Sequence, residues 1–205
     1  NVELAGVADP SPERREKAAA DFGAPAFDGL DGLIAAKPDI VSVVTPTEGH
    51  HAATMALLAA GAHVLVEKPI AATSAQAGEM VAAARAAGRI LQVGHIERFN
   101  AAVQALFEGI HAPRFIECHR LSPYPNRNSD VSVVHDLMIH DLDIVLCLAR
   151  SEVVSVDAVG VPVFSSCEDI ANARLRFASG CVANLTSSRV SLEGMRKIRI
   201  FEDNA

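Results

Sequence analysis

The sequence predicts an α/β chain in two halves: a doubly wound parallel sheet over residues 1–97, then an α+β half over 98–205 built on an open antiparallel sheet. Three observations carry this. In the first half, short apolar runs alternate with capped helical stretches, and strands apolar on both faces belong to a parallel sheet covered by helices on both sides. From about residue 114 onward, strand-like stretches mostly follow one another without helices between them, which indicates antiparallel pairing. Half of the 205 residues are hydrophobic, ample for two cores, and this excludes native disorder.

The elements follow in order. Residues 2–8 form a short, mostly apolar run that ends at Asp9-Pro10, and Ser11-Pro12-Glu13 supplies an N-cap with proline at the first helical position. That helix runs over 14–22 and stops at Gly23, which suits a left-handed C-cap. The pattern repeats with a buried strand over 40–45, an Ala/Leu helix over 50–60 closed by Gly61, and a strand over 63–66. Thr73-x-x-Gln76 is a capping box for a helix reaching residue 87 before Gly88, and 90–93 is one more strand. Between 95 and 115 the pattern changes. Residues 114–121 read as a strand, 122–130 as a polar loop with two prolines, and 134–149 as a helix. Strand-like stretches then occupy 153–161, 171–177, 181–187 and 196–201, joined by turns such as Ala178-Ser179-Gly180.

Composition removes several function classes. The balance of 18 basic and 25 acidic residues leaves a net charge of −7, and eight Phe with one Tyr make no stacking platform, so no nucleic-acid partner is expected. Apolar runs such as 144–149 fall far short of the roughly 20 residues a bilayer demands, and no secretory signal opens the chain, so no membrane partner is expected either. Cys118, Cys147, Cys167 and Cys181 are scattered without a C-x-x-C pair, which fits reduced thiols of the cytoplasm.

Ligands of a doubly wound sheet sit beyond the carboxyl ends of its strands, so polar residues there carry the most weight. Asp9 can accept both ribose hydroxyls of an adenosine and repel a 2′-phosphate, favouring NAD over NADP; it also serves as an ordinary turn residue before proline. Arg14 and Arg15 can turn toward a phosphate, which keeps NADP open. Thr45-Pro46-Thr47 ends the second visible strand, where proline opens the turn and leaves backbone groups to line a crevice. In Glu67-Lys68-Pro69 an ammonium lies beside a carboxylate at the mouth of a buried strand, an arrangement that tunes a lysine for proton transfer, although a solvated turn lysine reads the same way. Gly94-His95-Ile96-Glu97-Arg98-Phe99-Asn100 is a polar cluster where the sheet hands over to the second half. On the later helix Asp136, His140 and Asp143 fall at i, i+4 and i+7 and share a face, so that an aspartate can orient the imidazole for acid/base work. This spacing matches no metal-ligand signature and no cysteine joins it, so no metal is expected. Arg120, Arg127 and Asn128, in or beside the polar loop, are candidate contacts for a substrate diphosphate, which a guanidinium grips as a fork.

Taken together, Thr45-Pro46…His50, the run Gly61-Ala62-His63-Val64-Leu65-Val66-Glu67-Lys68-Pro69 and Asp136-x-x-x-His140 resemble the Gfo/Idh/MocA oxidoreductases over nearly the whole chain. The resemblance implies a Rossmann-like domain binding a nicotinamide dinucleotide and a second domain that forms the substrate side and a homodimer or homotetramer interface. It implies Lys68 and His140 as acid/base residues beside the nicotinamide and the reacting carbinol, with Asp136 in support. The cofactor set becomes Asp9, Arg14, Thr45, Pro46, His50, Glu67, Lys68, Pro69 and His95, and Arg98 joins the substrate contacts. The Gly-His-x-Glu-Arg-Phe-Asn run and Asp-Leu-Met-Ile-His-Asp are similar to members acting on UDP-N-acetylglucosamine and related nucleotide sugars, 3-dehydrogenases among them. One feature departs from the family: the first strand and the G-x-G-x-x-G turn that cradles the pyrophosphate are missing, and the chain stops at Asp203-Asn204-Ala205 within an unfinished sheet. Truncation at both ends is therefore expected. Two other readings stay open, a non-catalytic nucleotide or sugar sensor on the same fold and an NAD-using lyase or glycosidase.

Overall fold

The computed structural model describes residues 2–124 and 131–203, and the chain forms two compact units, Asn1–Gly94 and His95–Ala205. In the first unit β1 (Val7–Ala8) leads into α1 (Pro12–Phe22), where Ser11 Oγ accepts from the backbone N–H of Arg14 and Gly23 takes the left-handed C-cap at φ 64°. β2 (Ala26–Phe27) pairs in parallel with β1, and α2 (Leu30–Ala35) follows. Neither had been expected: two strand residues and six helical ones are too few for periodicity to register. Only Val7 and Ala8 of the run 2–8 find a strand partner.

The main sheet of this unit has β3 (Ile40–Val43), β4 (His63–Val66) and β5 (Leu91–Val93) in the order β3-β4-β5, all parallel, so their carboxyl ends reach one edge. α3 (Thr47–Ala59) starts three residues earlier than expected, with Pro46 at its N-cap and Gly49 N–H already bonded to the Pro46 carbonyl at 2.8 Å. Its buried residues His50, Thr54, Leu57 and Leu58 trace one helical face. α4 (Ser74–Ala87) has the expected boundaries: Thr73 Oγ1 accepts from Gln76 N–H at 3.3 Å, and Gly88 closes the helix at φ 61°. Leu57, Leu58, Val64, Val66 and Met80 form the centre of the core, each contributing about 1.5–3 kcal/mol by leaving water.

The second unit opens with a 3₁₀ turn, Ile96–Phe99, and α5 (Ala101–Gly109), capped by Asn100 Oδ1 on Ala102 N–H at 3.0 Å. β6 (Pro113–Leu121) follows. The helix expected over 134–149 is in fact a π turn, Val134–Met138, running into α6 (Ile139–Ala149). Then come β7 (Val153–Val161), β8 (Ile170–Phe177), β9 (Val182–Ser188) and β10 (Met195–Glu202), in the sheet order β10-β6-β9-β8-β7. Three of the four pairings are antiparallel, while β6 and β9, separated by α6 and the β7–β8 hairpin, run parallel. Alternation turns Ile116, Cys118, Ala173, Leu175, Ala183 and Leu185 into a core with Met138, Ile144, Val145 and Leu148. Glu117, His119, Asn172, Arg174, Asn184 and Thr186 line a polar groove of about 370 Å³ on the sheet. Within it Asn172 Nδ2 donates to Thr186 Oγ1 at 2.8 Å, and Arg174 Nη1 to Asn184 Oδ1 at 3.2 Å. Every residue of β7 is exposed. Among the described residues no helix is long and apolar enough to cross a membrane.

Candidate active site

Beyond the carboxyl ends of β3, β4 and β5 lie Thr45-Pro46, Glu67-Lys68-Pro69 and Gly94, in the first unit. The backbone ties these turns together: Glu67 N–H donates to the Val43 carbonyl at 3.0 Å, and Gly94 N–H to the Val66 carbonyl at 2.7 Å. The Glu67 carboxylate accepts the backbone N–H of Lys68 at 3.2 Å through Oε2. A Cβ on Gly94 would stand 3.1 Å from that carboxylate, and one on Gly49 would stand 2.9 Å from Thr45 Oγ1, so both glycines leave room that a side chain would fill. The Lys68–Pro69 peptide is cis, and Glu67, Lys68 and Pro69 are all half-buried.

His50 differs from its expected part. It is 1% exposed, with Nδ1 2.9 Å from the Pro69 carbonyl and Nε2 2.8 Å from that of Thr45. Both nitrogens are engaged with backbone, and the ring offers neither to a cofactor. Asp9, just after β1, accepts the Ser11 N–H at 2.7 Å through Oδ1, and Arg14 Nε lies 3.4 Å from the same oxygen. Arg14 is thus turned to Asp9. Arg15 Nη1 donates to the Asp9 carbonyl at 2.9 Å.

In the second unit the segment after Gly94 meets α6. Arg98 makes a fork on Asp143, Nε to Oδ2 at 2.7 Å and Nη2 to Oδ1 at 2.5 Å, and His95 Nε2 lies 3.9 Å from Asp143 Oδ1. Arg120, 6% exposed, grips Asp141 with Nη2 at 2.7 Å and Nε at 3.1 Å, and lies 3.6 Å from Glu97. The Asp143 bond holds the Arg98 guanidinium above its usual range. Burial works to lower that of Arg120, but the bond and charge of Asp141 outweigh it and leave it raised. Arg98 and Arg120 are each paired to an aspartate of α6, between residues 45 and 21 positions apart, pairings that sequence spacing cannot reveal. Arg127 and Asn128 lie outside the described residues. Asp143 is buried against Arg98, while Asp136 lies in the π turn directly before the first turn of α6, which carries His140. His140 stands half-buried in the first turn of α6, one residue from the Asp141 pair. Among the described residues no group of three or more His, Cys, Asp or Glu is disposed to hold a metal.

A second polar cluster escaped sequence reasoning altogether. Asp169, fully buried, accepts the backbone N–H groups of Val163, Phe164 and Ser165 through Oδ2 at 2.8, 2.7 and 2.9 Å. Through Oδ1 it accepts Ser165 Oγ at 2.8 Å and Arg189 Nε at 2.6 Å. Burial alone would raise its carboxyl, but the three N–H groups and Arg189 overcome this and hold it well below the ordinary range. Arg189 Nη1 donates to the Val131 carbonyl at 2.6 Å. The signal in the sequence was Ser165-Ser166-Cys167-Glu168-Asp169, an aspartate closing a turn rich in hydroxyls just before a strand.

Residues 1–95 match the model of an oxidoreductase family with an NAD-binding Rossmann fold, and residues 85–204 match that of the GFO/IDH/MocA C-terminal domain. Over 200 residues the chain is 42% identical to a UDP-N-acetylglucosamine 3-dehydrogenase of Acidithiobacillus ferrooxidans, covering 97% of this chain and 64% of that protein. A solved structure of that enzyme superposes with a TM-score of 0.92 over 97% of this chain and 66% of that one. The WlbA dehydrogenase of Bordetella pertussis, solved in complex with NADH and UDP-GlcNAcA, shares the fold at 24% identity and a TM-score of 0.88, covering 97% of this chain and 63% of that one. The chain spans just under two thirds of the length of these relatives.

Proposed function

Because the chain belongs to the Gfo/Idh/MocA oxidoreductase family, we propose that it serves an NAD-dependent dehydrogenase acting on a hydroxyl-bearing carbon of a nucleotide sugar, with UDP-N-acetylglucosamine as the first candidate. One observation carries this reading: the carboxyl ends of three parallel strands bring Thr45-Pro46, Glu67-Lys68-Pro69 and Gly94 to one edge of the first unit, with glycine where a side chain would crowd the turn. The donor set fits a dinucleotide, since Asp9 supplies a carboxylate for ribose hydroxyls and the turns present open backbone. When bound, the nicotinamide supplies a hydride acceptor. Lys68 Nζ takes the proton of the substrate hydroxyl, because loss of that proton is what allows the hydride to leave. His140 is the second proton carrier, with Asp136 in support. Asp9 disfavours a 2′-phosphate, and Arg14 beside it moderates that preference. The A. ferrooxidans relative, a UDP-N-acetylglucosamine 3-dehydrogenase, supports the same substrate and carbon here.

The exposed valines of β7 support assembly of a homodimer or homotetramer, which sedimentation will test. Four cysteines scattered without a C-x-x-C pair support a reducing compartment, the cytoplasm. The decisive experiment follows nicotinamide absorbance while the full-length protein is offered a panel of UDP-sugars. Lys68→Ala is expected to lower turnover about 10²- to 10⁴-fold while cofactor affinity holds. Near-normal turnover in that variant would remove Lys68 from the reaction, and accumulation of no reduced cofactor with any sugar would favour a sensor or a transient-NAD lyase.

A further inference from the structure

The ring of His50 touches the backbone of two turns at once. Its Nε2 meets the carbonyl of Thr45, at the carboxyl end of β3, and its Nδ1 that of Pro69, the residue directly after Lys68. One side chain thus ties the turn after β3 to the residue that follows Lys68. At 1% exposure the ring is shut off from water. Nearby geometry serves the same end. Gly49, one residue earlier, has no Cβ to push Thr45 away from the ring, and Gly94 leaves the Glu67 carboxylate its place on the other side of Lys68. The lysine therefore stands between two backbone anchors, the Glu67 carboxylate on its own N–H and the His50 ring on the carbonyl that follows it.

We infer that His50 is a positioning residue: its ring clamps the turns after β3 and β4 and thereby fixes where the Lys68 amine stands. This rests on the reading of Lys68 as the proton carrier. A misplacement of the order of 1 Å at a reacting group costs up to about 10²-fold in rate without loss of binding elsewhere, so the clamp acts on turnover rather than on affinity.

The test compares His50→Phe, which keeps a ring but no donors, and His50→Gln, which keeps an amide donor, with Lys68→Ala in the full-length protein. NADH affinity is read by fluorescence titration, and kcat and KM with UDP-N-acetylglucosamine. His50→Phe is expected to lower kcat about 10- to 100-fold with the NADH Kd within about threefold of normal, and His50→Gln to recover part of the loss. Unchanged kcat in both variants while Lys68→Ala is inactive overturns the inference, as does a parallel loss of NADH affinity and kcat, which marks a merely structural role. Where neither variant folds, the ring ¹⁵N spectrum of the unsubstituted protein decides: a His50 ring N–H protected from exchange with solvent upholds the clamp, and one that exchanges as freely as an exposed imidazole overturns it. Full turnover in Lys68→Ala sinks the reading of Lys68 and the positioning role with it, and the ring spectrum then reports on the clamp by itself.

Discussion

Replacing Asp169 with Asn changes one atom of the most completely bonded carboxylate described in the second unit. The three backbone N–H groups of residues 163, 164 and 165 need one oxygen, while Arg189 Nε and Ser165 Oγ need the other. An amide keeps one acceptor. If that oxygen stays with the backbone, the new NH₂ faces the Arg189 N–H, two donors in opposition, and a guanidinium 1% exposed loses its counter-charge. Removing one partner of a buried ion pair costs about 3–5 kcal/mol. At about 2–4 °C per kcal/mol for a chain of this size, the melting temperature should fall by roughly 6–20 °C. Thermal and urea unfolding measure this, and Asp169→Asn combined with Arg189→Met should recover part of the loss, since the double variant strands no charge. The pH dependence has a fixed sign. A carboxyl held below its ordinary value stabilises the fold fully above the unfolded value of about 3.9, and that contribution is lost as the pH falls toward the depressed one. The gap between wild type and Asp169→Asn is therefore constant above about pH 5 and narrows in acid. A loss under about 1 kcal/mol, or a gap that widens in acid, refutes the reasoning.

Three further outcomes follow from the same structure. Gly94→Ala presses a methyl group to 3.1 Å from the Glu67 carboxylate, so it should lower turnover by up to about 10²-fold through displacement of the Lys68 turn while leaving the melting temperature within a few degrees, read by steady-state kinetics and calorimetry. Burial, with the charge of Asp141 adding to it, pushes the Cys118 thiol up to about 12, so an aromatic disulfide reagent at neutral pH should spare Cys118 until the protein unfolds, as mass spectrometry of labelled peptides will show. Asp9→Ser should shift the ratio of NAD to NADP affinity toward NADP by at least about tenfold, or ~1.4 kcal/mol, in titrations with the two reduced cofactors; an unchanged ratio removes Asp9 from the ribose site.

What the sequence discloses depends on how local its cause is. α1 and α4 were legible nearly to the residue because Ser11, Thr73, Gly23 and Gly88 are caps that act within one turn. The run 63–66 was legible because Val64, Leu65 and Val66 are apolar in succession, although only Val64 and Val66 are buried. α5 is harder to read although Asn100 caps it, since the helix has only nine residues and follows directly on a polar segment. The parallel seam between β6 and β9 and the pairings of Arg98 and Arg120 join residues far apart in the chain, and no periodicity encodes them. At the site the same division holds. The turn residues at 45, 67–69 and 94 were found from strand ends, while the partners of His50 were not, because a buried imidazole and a ligand-facing one look alike in sequence.

Asp141 and Asp143 are two positions apart, which on an α-helix places them about 200° around the axis from each other. Arg120 holds one flank of α6 and Arg98 the opposite flank, so the helix is clasped like a shaft between two jaws. Rolling it in either direction strains one fork or the other. The imidazole next to the first of these aspartates thereby inherits an angular setting that its own rotamer could not supply, and a substitution in either jaw should be felt as looseness at position 140 before it is felt as unfolding.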